Sequence, residues 1–201
     1  MRKFVALAVS AALLVPLLAR ADSLYVFFRH GEKPDNDSGQ LTCKGLNRAL
    51  NLPRVLISRF GAPDTLYSSA PYQDKTGSSL RPLMTMVPVA IQLSKPVILK
   101  YHADQTGKLT NALLKENASP VTYIAWEYKN LVAATRRLVS KTGGDPSQIP
   151  FWSSDDFDSL YVIRLDDRHH FKSFIHETEG LNGVSDRCPP QMTGQHMLSP
   201  Y

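Results

Sequence analysis

The segment Arg29-His30-Gly31-Glu32-Lys33 follows directly on an apolar run from Leu24 to Phe28. Its residue types suit phosphoryl chemistry. Arg29 offers a planar fork of donors that matches phosphate oxygens. Gly31 lets the backbone come close to a ligand. His30 becomes a nucleophile if its ring is held neutral and oriented, and its attack on phosphorus gives a phosphohistidine. Arg81 supplies a second guanidinium from further along the chain. Two such cations suit the charge on the equatorial oxygens of the transition state, and the scheme needs no metal or other cofactor.

These residues need a scaffold that brings them to one edge. Residues 24–28 show no polar alternation, which fits a strand buried on both faces. Residues 41–60 read as helix, divided by Pro53 and ended by Gly61. A short strand at 65–67 leads into a polar loop, 68–79. Residues 80–93 form a helix, with Pro82 in its first turn and Pro88 bending its interior. A strand at 97–99, a helix at 106–115, a strand at 121–126 and a helix at 129–141 follow. Strands at 160–165 and 171–175 pair through the polar turn between them. This alternation predicts an α/β fold with a mostly parallel sheet and helices on both faces. Ligands bind beyond the carboxyl ends of such strands. Three polar clusters fall there: Arg29 to Glu32, the loop leading to Arg81, and Glu127-Tyr128.

The chain has 201 residues, 43% hydrophobic and 20% charged, which is enough apolar material for one globular domain. Its first residues form a separate unit. Arg2 and Lys3 precede an apolar stretch, residues 4–18, and Ala19-Arg20-Ala21 supplies a small-residue cleavage site. This is the pattern of a signal peptide over 1–21, leaving a single mature domain over 22–201. The stretch is short of the roughly 20 residues that span a bilayer. The expected product is exported, periplasmic or secreted, with no stable membrane association after cleavage. Three of the five net positive charges, Arg2, Lys3 and Arg20, belong to the leader, so the mature chain carries +2. No Lys/Arg run argues for nucleic acid or an anionic membrane as partner. In an exported chain the two cysteines, Cys43 and Cys188, are expected to form one disulfide. They are too sparse for a zinc site.

The ordered set of motifs resembles the histidine phosphatase superfamily, which includes phosphoglycerate mutase-like enzymes and histidine acid phosphatases. It comprises Arg29-His30-Gly31-Glu32-Lys33, Ser68-Ser69-Ala70-Pro71 and Arg81-Pro82-Leu83. The similarity extends through residues 41–50, Ile124 to Glu127, Asp156 to Val162, Glu179 to Gly183 and Cys188-Pro189. Together these cover nearly the whole mature chain and are similar to a small exported bacterial branch. The resemblance implies a three-layer α/β sandwich. It implies that His30 is phosphorylated and that Arg29 and Arg81 hold the phosphate of a small phosphorylated substrate.

One position departs from the pattern. The family places a second histidine after the fourth strand, in a Trp-Glu-His context, and this chain reads Trp126-Glu127-Tyr128. Tyr128 keeps a hydroxyl donor but no positive charge, and losing one preorganised donor commonly costs about 10²–10³ in rate. Glu32 and Asp104 are the candidate proton donors, with Glu127 ranked behind them. His102 stands after the third strand as a candidate stand-in, whereas His169, His170 and His176 read as solvated. Lys33 reads as a rim charge, and Trp126 and Trp152 as core. Two functions follow: an exported phosphatase acting on phosphomonoesters, or an impaired member that binds a phosphorylated ligand or a protein partner. A mutase fits less well, because export removes the chain from glycolytic intermediates. The sequence carries no signal for an oligomeric state.

Overall fold

Along the chain the elements are β1 (Ser23–Arg29), α1 (Cys43–Phe60), β2 (Thr65–Ser68), α2 (Arg81–Leu93), β3 (Val97–Ile98), α3 (Thr106–Lys115), β4 (Val121–Trp126) and α4 (Tyr128–Lys141). A 3-10 turn at Pro146–Gln148, then β5 (Ser159–Leu165) and β6 (Phe171–Thr178), complete the order. The computed structural model describes residues 22–36, 38–72, 79–115 and 120–189. Residues 1–21, where a signal peptide is expected, and residues 73–78 of the polar loop lie outside the described residues.

Every residue of β1 is buried, as its unbroken apolar run requires. It pairs with β4 in parallel and with β5 antiparallel, within one sheet of order β3-β2-β4-β1-β5-β6. The sheet is thus parallel over four strands and antiparallel over the last two. Alternate residues of β1 serve opposite faces. Tyr25 and Phe27 pack with Leu109 and Leu113 of α3 and Leu131 and Leu138 of α4. Val26 and Phe28 pack with Leu52 and Leu56 of α1 and Met86 and Val89 of α2. Helix pairs therefore cover both faces, giving the three layers expected. Trp126 and Trp152 are core residues, and each indole N–H donates to a backbone carbonyl, those of Ala103 and Asp156. Among the described residues, no helix is long and apolar enough to cross a membrane.

Most element ends shift by a residue or two from the sequence reading, and three differences bear on the site or the sheet. α1 runs unbroken through Pro53. Pro53 is buried beside Leu52 and Leu56, and burial of those side chains, worth roughly 1.5–3 kcal/mol each, offsets the missing hydrogen bond. α4 starts at Tyr128 rather than 129, with Glu127 as its N-cap. β6 extends to Thr178, because the whole of β5 offers it a partner.

The entry to α1 sets the position of the Arg-His loop. The Thr42 hydroxyl accepts from the Gly45 N–H at 3.1 Å, and the Thr42 N–H donates to the Glu32 carbonyl at 2.9 Å. Gly45 therefore lies against the backbone of residues 31–32. A Cβ on Gly45 would stand 2.5 Å from the Glu32 carbonyl oxygen, and one on Gly31 would stand 2.7 Å from that of Gly45. Both obstacles are backbone and cannot swing aside. Gly45→Ala is expected to lose about 1–3 kcal/mol in urea unfolding. Gly183→Ala, where a Cβ meets nothing within 4 Å, is the control expected to be far milder.

Cys43, the first residue of α1, is bonded to Cys188, with Cα atoms 4.5 Å apart. Asn47, one turn on, donates to the carbonyls of Ser185 and Arg187 at 2.8 and 2.7 Å. The tail is thus strapped along α1. A loop closed over 145 residues is worth about 5 kcal/mol in the chain-entropy model.

Candidate active site

β1 ends on Arg29, and the next residue, His30, donates its N–H to the Trp126 carbonyl at the end of β4, at 3.1 Å. This holds the Arg-His pair at the carboxyl edge of the parallel strands. His30 is only 3% exposed. Its Nδ1 lies 2.7 Å from the Gly31 carbonyl oxygen. A carbonyl only accepts, so Nδ1 carries the proton and Nε2 carries the lone pair. Burial, then the charges of Arg29, Arg81 and Lys33, pull the ring down to about 3, against the Gly31 hydrogen bond. His30 is neutral and oriented, the two conditions for a nucleophile.

Arg29 is buried against two aromatic rings. Its guanidinium carbon lies 3.7 Å from the centre of the Phe157 ring and 4.6 Å from that of Tyr128. Nη1 donates to the carbonyls of Ser154 and Asp156, both at 2.7 Å. Nε is buried without a hydrogen-bond partner. Burial pulls Arg29 down to about 10, which leaves it charged at neutral pH. Tyr128 thus presents its ring face to Arg29. Phe157, the nearer of the two rings, carried no role in the sequence reading.

Arg81 opens α2, and its charge acts on both His30 and Arg29. Its Nε is also buried and unpartnered. Thr85 fixes the spacing between the two segments. Its hydroxyl donates to the Arg81 carbonyl at 2.8 Å and accepts from the Gly31 N–H at 2.9 Å. The Leu80 N–H also donates to the Gly39 carbonyl at 3.0 Å. The site therefore gathers His30 with two guanidiniums whose Nε donors have no protein partner. Two guanidinium charges acting beside a neutral imidazole suit an anion with several acceptor oxygens.

Of the two parts open to Glu32, proton donor or fixing the loop by hydrogen bonding, its contacts support the second. Its carboxylate takes two bonds from Arg48, at 3.0 and 2.9 Å, with Lys44 at 3.9 Å. Arg48 and these contacts hold it below the usual carboxylate range despite burial, so it is ionised at neutral pH and has no proton to give. Arg48 is fully buried and also binds Asp158 at 2.8 Å, Glu179 at 2.7 Å and Asn182 at 3.0 Å. Sequence reasoning gave Arg48, Asp158 and Glu179 no role, although all three lie within the stretches that carried the resemblance. One arginine spaced from two distant acids gives no local signal for a buried cluster.

Three carboxyl groups face one guanidinium, so one of them keeps its proton. Burial pushes Glu179 up to about 8, opposed by Arg48. Its Oε1 is buried without a partner, a position far less costly for a neutral acid than for an ion. The folded chain thus holds a proton that the unfolded chain loses near 4.5. This contribution to stability is full below that pH and declines as pH rises towards 8, by up to about 1.4 kcal/mol per pH unit. Glu32 and Asp158, both lowered, act with the opposite sign: their contribution is present above the ordinary carboxylate pKa and is lost as pH falls through their own. Urea midpoints are expected to fall between about pH 5 and about pH 8, and Glu179→Gln to flatten that slope. A slope unchanged by Glu179→Gln would assign the proton elsewhere.

The other candidates fall outside the phosphate-facing set. His102 stacks on Tyr72, with ring centres 4.1 Å apart, and its Nδ1 lies 3.1 Å from the Ala70 carbonyl. Asp104 accepts from the Tyr72 hydroxyl at 2.8 Å. His176 is not simply solvated, since its Nε2 meets the Ser159 hydroxyl at 2.7 Å. His170 pairs with Asp166 at 3.2 Å in the hairpin turn, and Lys33 is exposed at the rim. Among the described residues, no group of three or more His, Cys, Asp or Glu is placed to hold a metal ion.

Neither a protein-family model nor a curated protein matches the chain. Solved structures do match. The α-ribazole phosphatase of Shigella flexneri shares 14% identity over 84% of this chain and 99% of its own, with a TM-score of 0.56. The protein histidine phosphatase SixA, solved with tungstate, shares 14% over 78% of this chain and 97% of its own, at 0.54. A mycobacterial glucosyl-3-phosphoglycerate phosphatase, solved with inorganic phosphate, shares 14% over 78% and 96%, at 0.52. At this identity the likeness is one of fold. Their α/β fold is shared by this chain, as the resemblance to the histidine phosphatase superfamily implied.

Proposed function

We propose that the chain is a member of that superfamily and an exported phosphatase, hydrolysing small phosphomonoesters through a phosphohistidine on His30. One observation carries the reading: the His30 ring, buried and neutral, is turned by the Gly31 carbonyl so that Nε2 carries the lone pair. Arg29 and Arg81, whose charges act on His30, would hold the transferring phosphoryl group. The folds it is similar to include proteins described as phosphatases, one of them solved with phosphate, which supports the same chemistry. The signal-peptide pattern of residues 1–21 supports export.

The test is to mix residues 22–201 with an aryl phosphate, quench in alkali and map the phosphate by mass spectrometry. Label on the His30 peptide is the expected result. A turning-over enzyme with no label there would remove the intermediate.

A second reading is favoured by Tyr128, whose ring packs on Arg29 where the family pattern has a histidine. On this reading the pocket binds a phosphorylated ligand with little turnover. Tyr128→His separates the two. A gain of about 10²-fold or more over a nearly inactive parent supports the binder. A loss, from removing a ring packed on Arg29, supports the enzyme as it stands.

A further inference from the structure

We propose that Glu127 is the group that protonates the leaving oxygen, and that the Tyr72–Asp104 edge marks the leaving-group side of the pocket. This rests on the phosphohistidine reading. Glu127 follows Trp126, whose carbonyl accepts from the His30 N–H, so it is set beside the nucleophile across the β1–β4 edge. It is the N-cap of α4 in extended conformation, and its side chain makes no capping bond to the helix N–H groups. The alternation of Glu127 and Tyr128 sends them different ways: Tyr128 to Arg29, Glu127 to the charges of Arg81 and Asp104.

The other acids near this edge are committed except Asp155, which is exposed and acts on Arg29 from outside the groups around Glu127. Glu32 is bound by Arg48, Asp158 by Arg48 and the Gly180 and Leu181 N–H groups, and Glu179 is sealed within the same cluster. Asp156 accepts from the Asp158 and Ser159 N–H groups and the Ser159 hydroxyl. Asp104 is exposed and takes the Tyr72 hydroxyl. Glu127 is half-buried, and burial, together with the like charge of Asp104, favours its neutral acid over its anion. Arg81 and a bond from Asn130 act in the other direction. The groups facing it are therefore Arg81 from α2, Asp104 and the Tyr72 hydroxyl from the flanking loops, and Asn130 from its own helix. A carboxyl poised between such neighbours is the arrangement expected of an acid that must donate and then accept.

In the first step the Nε2 lone pair of His30 forms the N–P bond as the P–O bond to the leaving group breaks. The Glu127 proton passes to the departing oxygen, which leaves as an alcohol. In the second step a water oxygen attacks phosphorus and gives its proton to the Glu127 carboxylate. The N–P bond breaks, inorganic phosphate departs, and His30 and Glu127 return to their starting forms.

The experiment compares Glu127→Gln with wild type on two substrates. A nitrophenyl phosphate releases a stable phenolate without protonation, whereas glycerol 2-phosphate releases an alkoxide that needs a proton. Expected for Glu127→Gln is a fall in kcat/KM of about 10²–10⁴-fold on the alkyl ester, with the nitrophenolate burst retained within about tenfold. The basic limb of the alkyl-ester pH profile should vanish, and Glu127→Asp should recover part of the rate. Equal losses on both substrates, or no loss on either, would overturn the assignment while phosphohistidine still forms on His30. Absence of phosphohistidine in the wild type overturns the underlying reading instead, and this assignment with it.

Discussion

His30→Ala is expected to lower kcat/KM on an aryl phosphate by about 10⁴-fold or more, the scale seen when a covalent nucleophile is removed from a preorganised site. The substitution deletes the atom that forms the N–P bond and leaves Arg29 and Arg81 in place. Inhibition by inorganic phosphate should therefore persist in a competition binding assay, even as turnover is lost. Free imidazole added to His30→Ala should restore a measurable fraction of the rate, because the vacated ring space stands beside the same two cations. The pH behaviour is separately diagnostic. With its pKa pulled down to about 3, the His30 ring stays neutral throughout the range in which an ordinary histidine titrates. Its ring resonances should not move between about pH 5 and about pH 8. Turnover that survives His30→Ala would exclude the ring from the chemistry.

Much of this arrangement was legible in the sequence because it depends on local pattern. The unbroken run of β1 and the turn residues after each strand report burial and chain reversal within a few residues. Those signals located nearly every element, and placed Arg29, His30 and Arg81 beyond strand ends. The rest depends on long-range contacts. Pro53 reads as a break, because only the sheet beneath α1 shows what its burial returns. Tyr128 reads as a donor by its hydroxyl, and only the fold puts its ring face against Arg29. Glu32 reads as a catalytic acid by its nearness to His30, and only the packing of α1 brings Arg48 to it. Glu127 ranked last among the acids until the cations and carboxylates around each one were known.

Arg48→Met is expected to cost about 3–5 kcal/mol of stability, the usual result of leaving buried charge without its partner. The side chain is 0% exposed and answers Glu32, Asp158, Glu179 and Asn182 at once. Methionine fills similar volume but meets none of these acceptors. Arg48→Lys keeps one charge without the fork, so it should lose somewhat less. Adding Glu32→Gln to Arg48→Met should recover part of the loss, because a carboxylate that Arg48 holds ionised then needs no counter-charge. Urea unfolding of the single and double variants measures the coupling directly. The damage should also reach turnover, because Glu32 belongs to the loop that carries His30. An Arg48→Met protein as stable as wild type would mean that water enters and screens the three acids.

The strap of residues 179–189 along α1 has a consequence for the order in which the molecule can be made. β1, the strand that ends in Arg29, finds its neighbours only when residues 121–126 and 160–165 exist. Arg48 finds its last carboxyl at residue 179, and Cys43 its bond at residue 188. A nascent chain emerging from its N-terminus therefore carries the nucleophile early but cannot assemble the pocket until almost its final residues are available. Such late, distant pairings slow folding. They also leave His30 without its surrounding pocket until synthesis is nearly complete.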